Sequence, residues 1–274
     1  MTVGLGVVAG GLAVIALAAV AADGGRGADE ELRRDLQAVA RLQVYFGHQS
    51  VGANVIEGLG ALSARAGVAL RVVETPDARA AAGPVFAHGQ VGTNGDPRSK
   101  LDAFERSLRA GADPDAALVK LCYVDFDAHT DARAVFEAYR TTLRTLRGRH
   151  PRTVFVHVTA PLEAARSGVK ASLKRLLGRD DPAVAANARR EEFNALLRRE
   201  FEGREPIFDL ARVESTRADG RLESVELGGR PVPVLVPEYT SDGGHLNRDG
   251  RERAARALVE VLASLPPRGA AASR

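Results

Sequence analysis

The chain has 274 residues, of which 45% are hydrophobic and 27% charged, and its formal net charge at pH 7 is +3. This composition is typical of a globular protein with one sizeable core. Basic and acidic residues are interspersed, and no zinc-finger, RNP or basic-helix pattern occurs, which argues against a nucleic-acid partner. The single cysteine, Cys122, cannot form an internal disulfide and is expected to be a small buried core residue.

The N-terminal segment carries no charge from residue 3 to residue 22 and is long enough to span a bilayer as a helix. Small residues precede Asp23 as at a signal-peptidase site, although the first basic residue is Arg26. We therefore expect an exported protein, secreted or anchored on the outer face of a membrane; a buried N-terminal helix is the alternative. The expected units are a signal peptide or anchor at 1–22, a linker at 23–31, one domain at 32–266 and a disordered tail at 267–274.

Beyond this segment, strand-like and helix-like patterns alternate along the chain. The predicted strands cover residues 43–47, 68–74, 117–124, 153–159 and 206–210. The predicted helices cover residues 32–42, 51–66, 97–110, 130–147, 183–201 and 248–265. Residues 75–95 are expected to form a long loop, and residues 213–237 an irregular segment with hairpin pieces that lines or covers the functional site.

This alternation predicts an α/β fold, a three-layer α/β/α sandwich whose mostly parallel sheet has about five strands. In such folds the functional site lies at the carboxyl ends of the strands. Ser50, Asp125 and Thr159 each follow a predicted strand, so they are expected at the same edge of the sheet.

Two short segments carry residues suited to catalysis. Ser50 lies in a turn between the first predicted strand and a helix, and Asp242 precedes His245 by three residues in a Gly-rich loop before the last helix. An Asp can orient an imidazole, and the imidazole can take the proton of a Ser nucleophile, so this order suggests a serine hydrolase. The structural alternatives are a helix N-cap for Ser50, an Asx-turn for Asp242 and a surface position for His245.

These segments resemble motifs of the SGNH (GDSL-type) hydrolase superfamily. The family's first motif is an apolar strand, Gly-Asp-Ser and a helix, which residues 46–51 (Phe-Gly-His-Gln-Ser-Val) match. Its last motif, Asp-x-x-His before the final helix, is matched by residues 242–245 (Asp-Gly-Gly-His). The resemblance extends over about residues 43–265. It implies a flavodoxin-like fold and hydrolysis of esters, often on acetylated carbohydrates or lipids.

The chain also departs from the family pattern. Gln49 replaces the Asp before the Ser, and the turn contains an additional residue, His48. The family's middle motif, Gly-x-Asn-Asp, should fall near residues 121–125, where the oxyanion-binding Asn is absent. The resemblance then implies other donors to the oxyanion, namely the N–H of Ser50, the N–H of Gly92 and the side-chain amide of Asn94.

Several further polar residues have a functional and a structural interpretation. His48 could bind substrate or make a local backbone hydrogen bond, and Asp125 could contact substrate, orient the Ser50 turn or pair with Lys120. His88 is expected to be loop structure, with a role in the site as the alternative, and His157 is expected to be a core histidine. Asp125, Asp127 and His129 are too few for a metal centre, so neither a metal nor a cofactor is expected.

The leading interpretation is a serine esterase that works through an acyl-enzyme and deacylates a glycan or similar polar substrate. Ser50 would be the nucleophile, His245 the base and Asp242 the residue that orients the ring. A non-catalytic glycan-binding module on the same fold is one alternative, favoured by the altered turn and the missing Asn. An O-acyltransferase with the same three residues is another, because sequence does not separate transfer from hydrolysis.

Overall fold

The structure is a computed structural model that describes residues 27–80, 83–109, 111–166 and 181–266. The expected signal peptide or anchor at 1–22 and the tail at 267–274 lie outside these residues. The first helix, α1, covers residues 27–39, so the end of the expected linker is helical. Within the described ranges, no helix is long and apolar enough to cross a membrane.

The central sheet has six strands in the described residues, all paired in parallel, in the order β2-β3-β1-β4-β5-β6. The strands are β1 (Gln43–His48), β2 (Val72–Glu74), β3 (Val85–Gln90), β4 (Ala116–Val119), β5 (Val154–Val158) and β6 (Ile207–Phe208). The helices after α1 are α2 (Val51–Ala66), α3 (Pro97–Ser107), α4 (Ala132–Arg149), α5 (Pro182–Phe201), α6 (Leu210–Ser215) and α7 (Arg248–Ala263). The predicted parallel α/β/α sandwich is confirmed.

Strand β3 was not expected, because the sequence predicts a loop over residues 75–95. Its residues, Val-Phe-Ala-His-Gly-Gln, include a His and a Gly, which weaken the strand pattern. The strand forms because it pairs with β2 on one side and β1 on the other. The predicted strand at 117–124 is shorter in the structure, since β4 ends at Val119 and residues Tyr123–Asp125 form a 3₁₀ turn.

The strand residues alternate between two cores, one on each face of the sheet. In β1, Val44 and Phe46 point into a core shared with α1, α2 and α7, whereas Tyr45 points into a core shared with α3, α4 and α5. Both faces of the sheet are therefore covered, and the strand ends remain the accessible edges. Strand β1 lies between β3 and β4, at the point where the order of the strands reverses, which is where such folds bind ligands.

The packing of α7 against α2 brings together the two sequence motifs that contain Ser50 and His245. Gly58 of α2 faces the backbone of α7, where a Cβ would overlap the carbonyl group of Arg251. On both sides of this contact the helices are joined by ion pairs, Arg251 with Glu57 and Arg65 with Glu252. The close approach fixes the start of α7, and thus the loop before it, beside the start of α2.

A two-stranded antiparallel hairpin, β7 (Ser224–Leu227) and β8 (Arg230–Pro233), turns at Gly228 and Gly229 as the sequence predicts. Val232 and Val234 pack with Val184 of α5.

Candidate active site

Ser50 lies in a strained turn between β1 and α2. Its φ of 53° and ψ of −115° make it the one non-glycine residue with positive φ among the described residues. Backbone in such a region costs on the order of 1–3 kcal/mol and is found mainly at functional sites. The side chain makes no capping hydrogen bond to α2. Instead, Oγ lies 2.8 Å from Nε2 of His245, so the N-cap interpretation does not account for this serine.

Asp242 holds the other side of the His245 ring. Its Oδ2 lies 2.7 Å from Nδ1 of His245, while Oδ1 accepts hydrogen bonds from the backbone N–H groups of Gly244 and His245 at 2.9 and 2.8 Å. These two backbone bonds, together with the imidazole, hold the pKa of Asp242 well below its usual value. Asp242 therefore forms the Asx-turn with Oδ1 and orients the His245 ring with Oδ2.

The loop that carries Asp242 and His245 is tied to α2. Asn54, one turn after Ser50, is buried and accepts a hydrogen bond on Oδ1 from the N–H of Leu246 at 3.0 Å. Thr240 donates to the carbonyl oxygen of His245 at 2.7 Å and accepts from the N–H of Gly243 at 3.0 Å. The imidazole therefore has a fixed position relative to Ser50.

Ser50 and His245 open onto a pocket of about 380 Å³ at the carboxyl edge of the sheet. The ring of Tyr123 meets that of His245 edge-on, with centroids 5.8 Å apart. Burial, with a smaller effect of the Asp242 charge, raises the pKa of Tyr123, so its phenol is a neutral hydrogen-bonding group. The lining residues are His48, Gln49, Ser50, Ala53, Gln90, Asn94, Tyr123, Val124 and His245.

Gln49 fastens the serine turn to the end of β3. Its Nε2 donates to the carbonyl oxygen of Val91 at 2.9 Å and also to that of Gly92. Gly92 has φ of 60°, and a Cβ there would overlap the backbone of Ser99 and Lys100. Gly92 does not line the pocket, so its position does not favour the expected role as an oxyanion donor; the glycine is required by the close packing of this loop.

Asn94 lines the pocket as expected, but Asp125 does not. The Asp125 side chain is fully buried and receives both of its ionic contacts from Lys100, at 2.7 Å to each oxygen. This contradicts the expectation that Asp125 contacts substrate, because no part of its carboxylate reaches the pocket. The alternative pairing with Lys120 is also wrong, since the partner is Lys100.

His48 lines the pocket and is bonded to a second histidine. Its Nε2 lies 3.0 Å from Nδ1 of His88, and the two rings stack with centroids 5.1 Å apart. Burial, followed by the nearby His88 and Lys120, lowers the pKa of His48 to about 3. Both rings are consequently neutral at pH 7, since burial also lowers the pKa of His88.

Other polar residues singled out in the sequence are structural. His157 is buried and bonds Tyr139 at 2.8 Å and Glu205 at 3.0 Å, as expected of a core histidine. Lys120 donates to the carbonyl oxygen of Leu121 at 3.1 Å and to Sγ of the buried Cys122 at 3.2 Å. Asp127 caps its own loop by accepting from the N–H of His129 at 2.8 Å. No group of metal-binding side chains occurs in the described part of the chain.

Four contributors to the site were missed by sequence reasoning: Gln49 as a tether, Asn54, Lys100 and Tyr123. Tyr123 had a signal, because it lies near the end of the predicted strand 117–124, close to the edge of the sheet where the site was expected. Asn54 and Lys100 had none, since each is a polar residue inside an amphipathic helix, and its partner, Leu246 for Asn54 and Asp125 for Lys100, lies in a later loop of the chain.

No protein-family model matches the chain, and no curated protein matches it either. Solved structures with a similar architecture exist. One, from Streptococcus pneumonia and provisionally named a platelet activating factor, superposes with a TM-score of 0.51 at 14% identity, over 93% of this chain and 100% of the other. A provisionally named acylhydrolase of Bacteroides fragilis has a TM-score of 0.49 at 15% identity, over 80% and 85% of the two chains. A GDSL-like lipase of Bacteroides thetaiotaomicron has a TM-score of 0.49 at 11% identity, over 80% and 86%.

At these identities the likeness concerns the fold. The six-stranded parallel sheet flanked by helices therefore has an overall architecture like that of the first of these structures.

Proposed function

We propose that the protein is a serine esterase in which Ser50, His245 and Asp242 act together. The observation that carries the proposal is the continuous chain of hydrogen bonds from Oγ of Ser50 to Nε2 of His245 at 2.8 Å and from Nδ1 of His245 to Asp242 at 2.7 Å. This is the geometry that a base-activated serine nucleophile requires. The strained backbone of Ser50 and the absence of a capping bond support the same role.

In the proposed reaction, Nε2 of His245 removes the proton from Ser50, and Oγ forms a bond to the acyl carbon of an ester. Asp242 keeps the proton on Nδ1 and stabilises the imidazolium that results. The imidazolium then protonates the departing alcohol, and water, deprotonated by the same ring, releases the acid and restores Ser50. Asp242 remains ionised throughout, in keeping with its lowered pKa.

The oxyanion needs donors near Ser50. We propose the backbone N–H of Ser50 and the side-chain amide of Asn94, which lines the same pocket. A well-placed donor of this kind typically contributes about 3 kcal/mol to the stability of the transition state. Asn94 would then supply, from the loop after β3, the amide that is missing after β4.

We further propose a short acyl group on a polar alcohol, such as a glycan, as the substrate class. The pocket is small and open, with Tyr123 and Val124 as apolar surface beside Ser50, and with His48, Gln90 and Asn94 as polar surface. Val124 is 44% exposed, one of only two large hydrophobic side chains in the described residues that are exposed to this degree. Apolar contact would hold the acyl group, and the polar wall would hold the alcohol.

We keep as proposals the export of the protein through residues 1–22 and the single domain at 32–266. The expectation that the irregular segment 213–237 lines or covers the site stays a prediction; none of its residues is among those that line the pocket at Ser50.

The proposal is tested by hydrolysis of p-nitrophenyl acetate by the full chain and by its Ser50→Ala and His245→Ala variants. We expect both substitutions to reduce turnover by at least about a thousandfold in folded protein, as for the loss of a catalytic serine or histidine elsewhere. Equal turnover in all three proteins would be background chemistry and would refute the assigned roles. If the wild type is inactive but binds an acetylated glycan, the non-catalytic module is the better description. An acceptor sugar that gains the acyl group would identify a transferase.

A further inference from the structure

The loop between β3 and α3 is held by a fully buried ion pair. The side chains of Lys100 and Asp125 are both 0% exposed, and Nζ of Lys100 lies 2.7 Å from each oxygen of Asp125. Nζ makes one more contact, 2.9 Å to Oδ1 of Asn94. Burying an ion pair adds little net stability, because both charges lose their hydration. The main effect of the buried pair is therefore to hold the side chains of Lys100 and Asp125 in one fixed geometry.

The lysine determines which way the Asn94 amide faces. An ammonium group can only donate hydrogen bonds, so Asn94 must present its oxygen to Lys100. The amide nitrogen Nδ2 is then directed away from Lys100, and Asn94 lines the pocket beside Ser50. Were the amide rotated by half a turn, it would present an acceptor oxygen at that position and repel a negative charge.

Asp125 in turn positions the lysine and joins two loops. Its Oδ1 accepts from the N–H of Gly95 at 2.9 Å, and its Oδ2 accepts from the N–H of Cys122 at 2.6 Å. The first of these residues follows Asn94, and the second precedes Tyr123. The same carboxylate therefore fixes both walls of the pocket relative to each other.

We infer that Lys100 is a positioning residue for ester hydrolysis: held by Asp125, it orients the Asn94 amide so that Nδ2 donates to the oxyanion. This inference rests on the proposed function. It explains how a chain without an Asn after β4 supplies a side-chain donor, and why a lysine is buried in a helix that does not itself reach the pocket.

The test compares Lys100→Met with Lys100→Gln, using kcat and KM for p-nitrophenyl acetate. Both variants remove the lysine charge and leave Asp125 without an ionic partner, but only Gln keeps a donor that can face Oδ1 of Asn94. We expect Lys100→Met to lower kcat by about 10- to 100-fold with little change in KM, since loss of one oxyanion donor costs roughly 100- to 1000-fold. We expect Lys100→Gln to keep most of the kcat that Lys100→Met loses. Equal kcat values in the two folded variants would overturn the inference.

Two Asn94 variants keep the inference falsifiable if the Lys100 variants do not fold, because Asn94 is exposed and outside both cores. Asn94→Asp keeps an oxygen for Lys100 but has no amide donor, so we expect it to lose as much kcat as Asn94→Ala, about 100-fold. Where Lys100→Met folds, adding Asn94→Ala should bring the total loss to no more than about the 100-fold of Asn94→Ala alone, because residues acting as one unit are not additive. Full activity of Asn94→Asp, or a multiplicative loss in the double variant, would overturn the inference.

Failure of the inference is distinct from failure of the proposed function. If Ser50→Ala abolishes turnover while the Asn94 variants retain it, the proposed esterase activity is supported and the role assigned to Lys100 is refuted. If the wild-type protein does not hydrolyse the ester, and the mass of the intact chain shows no reaction of Ser50 with a fluorophosphonate, both the proposed esterase activity and the role of Lys100 are refuted.

Discussion

Gly244 lies against the ring of Tyr123, so closely that a Cβ on residue 244 would be 2.8 Å from Cζ of the tyrosine and 2.9 Å from its hydroxyl oxygen. Tyr123 in turn meets the ring of His245 edge-on. The glycine between Asp242 and His245 is thus part of the fit between the loop and the pocket wall, rather than a residue that only confers flexibility.

Gly244→Ala should therefore lower kcat while leaving the protein folded. The added methyl group must displace Tyr123 or the His245 backbone, and misplacement of a catalytic group by about 1 Å can cost on the order of 100-fold. Steady-state kinetics and thermal unfolding measure the two effects. Gly60→Ala is the control: its Cβ would meet nothing within 4 Å, and it lies in α2. Gly60→Ala should keep its activity, and its free energy of unfolding should rise by about 0.5–1 kcal/mol. Unchanged kcat in Gly244→Ala would contradict the assigned fit.

Asp242→Asn should reduce kcat by about 100- to 10,000-fold, because an amide cannot hold the His245 tautomer or stabilise the imidazolium. Asp249→Asn, an exposed carboxylate in the first turn of α7, is the matched control and should stay within about twofold, as expected for a surface substitution. A rate for Asp242→Asn similar to that control would mean that Asp242 only shapes the loop.

The same carboxylate should contribute stability that depends on pH. Its pKa in the folded protein lies below the usual 3.8, so ionised Asp242 favours the folded state at pH values above that figure. The contribution is lost as pH falls through the lowered pKa. Urea unfolding should accordingly show a difference between the wild type and Asp242→Asn at pH 6 that shrinks toward pH 2. A constant difference would contradict this linkage.

Glu214 should have the opposite effect on the pH dependence of stability, lowering the stability of the folded protein as pH rises. Burial is the main cause that raises its pKa to about 8, against weaker opposing effects of the Leu162 N–H, Lys120 and Arg190, and Oε1 has no hydrogen-bond partner in the described residues. A raised pKa gives stability that is complete below the usual 4.5 and is lost as pH rises toward 8. Glu214→Gln should remove this loss, making the variant more stable than the wild type at pH 8 by at least about 1.4 kcal/mol, the equivalent of one pKa unit.

The control for that comparison is Glu226→Gln, which removes an exposed carboxylate on β7. The free energy of unfolding of each protein should be measured from pH 5 to pH 9. If the wild type and Glu214→Gln show parallel curves, the buried carboxyl group is not the cause of the pH dependence.

His48 should make the protein less stable in acid. Its pKa is about 3 in the folded state and near 6.5 when unfolded, so the unfolded chain takes up a proton first as pH falls. Stability from the neutral ring is complete above pH 6.5 and declines toward pH 3. His48→Gln should be less stable at pH 7, because it loses the bond to His88, but should lose less stability between pH 7 and 4.5. His129→Gln, which removes an exposed histidine, should follow the wild-type curve; a His48→Gln curve that does the same would refute the assignment.

The sequence predicted the sheet and the positions of Ser50, Asp242 and His245 because these depend on local pattern and on the order of the elements. Parallel strands bring their carboxyl ends to one edge, so residues that directly follow strands can be placed without coordinates. The expected contact of Asp125 with substrate failed for a physical reason. Whether a residue after a strand points into the pocket or beneath it depends on one turn of backbone, here the 3₁₀ turn Tyr123–Asp125.

Contacts between helices and loops could not be predicted from the sequence for a different reason. Lys100 in α3 satisfies the amphipathic pattern equally well as a surface residue, and its burial depends on two partners outside the helix, Asp125 and Asn94. β3 was missed because its strand pattern is weak and its two neighbours in the sheet stabilise it. In both cases tertiary partners outweigh local preference.

The backbone of Ser50 has a consequence for engineering. At φ 53° and ψ −115°, glycine is the residue that the local conformation favours, so Ser50→Gly should raise the melting temperature while abolishing turnover. A library of variants sorted by heat resistance alone would therefore enrich inactive molecules at this position. Thermal selection of this protein has to be coupled to an activity screen.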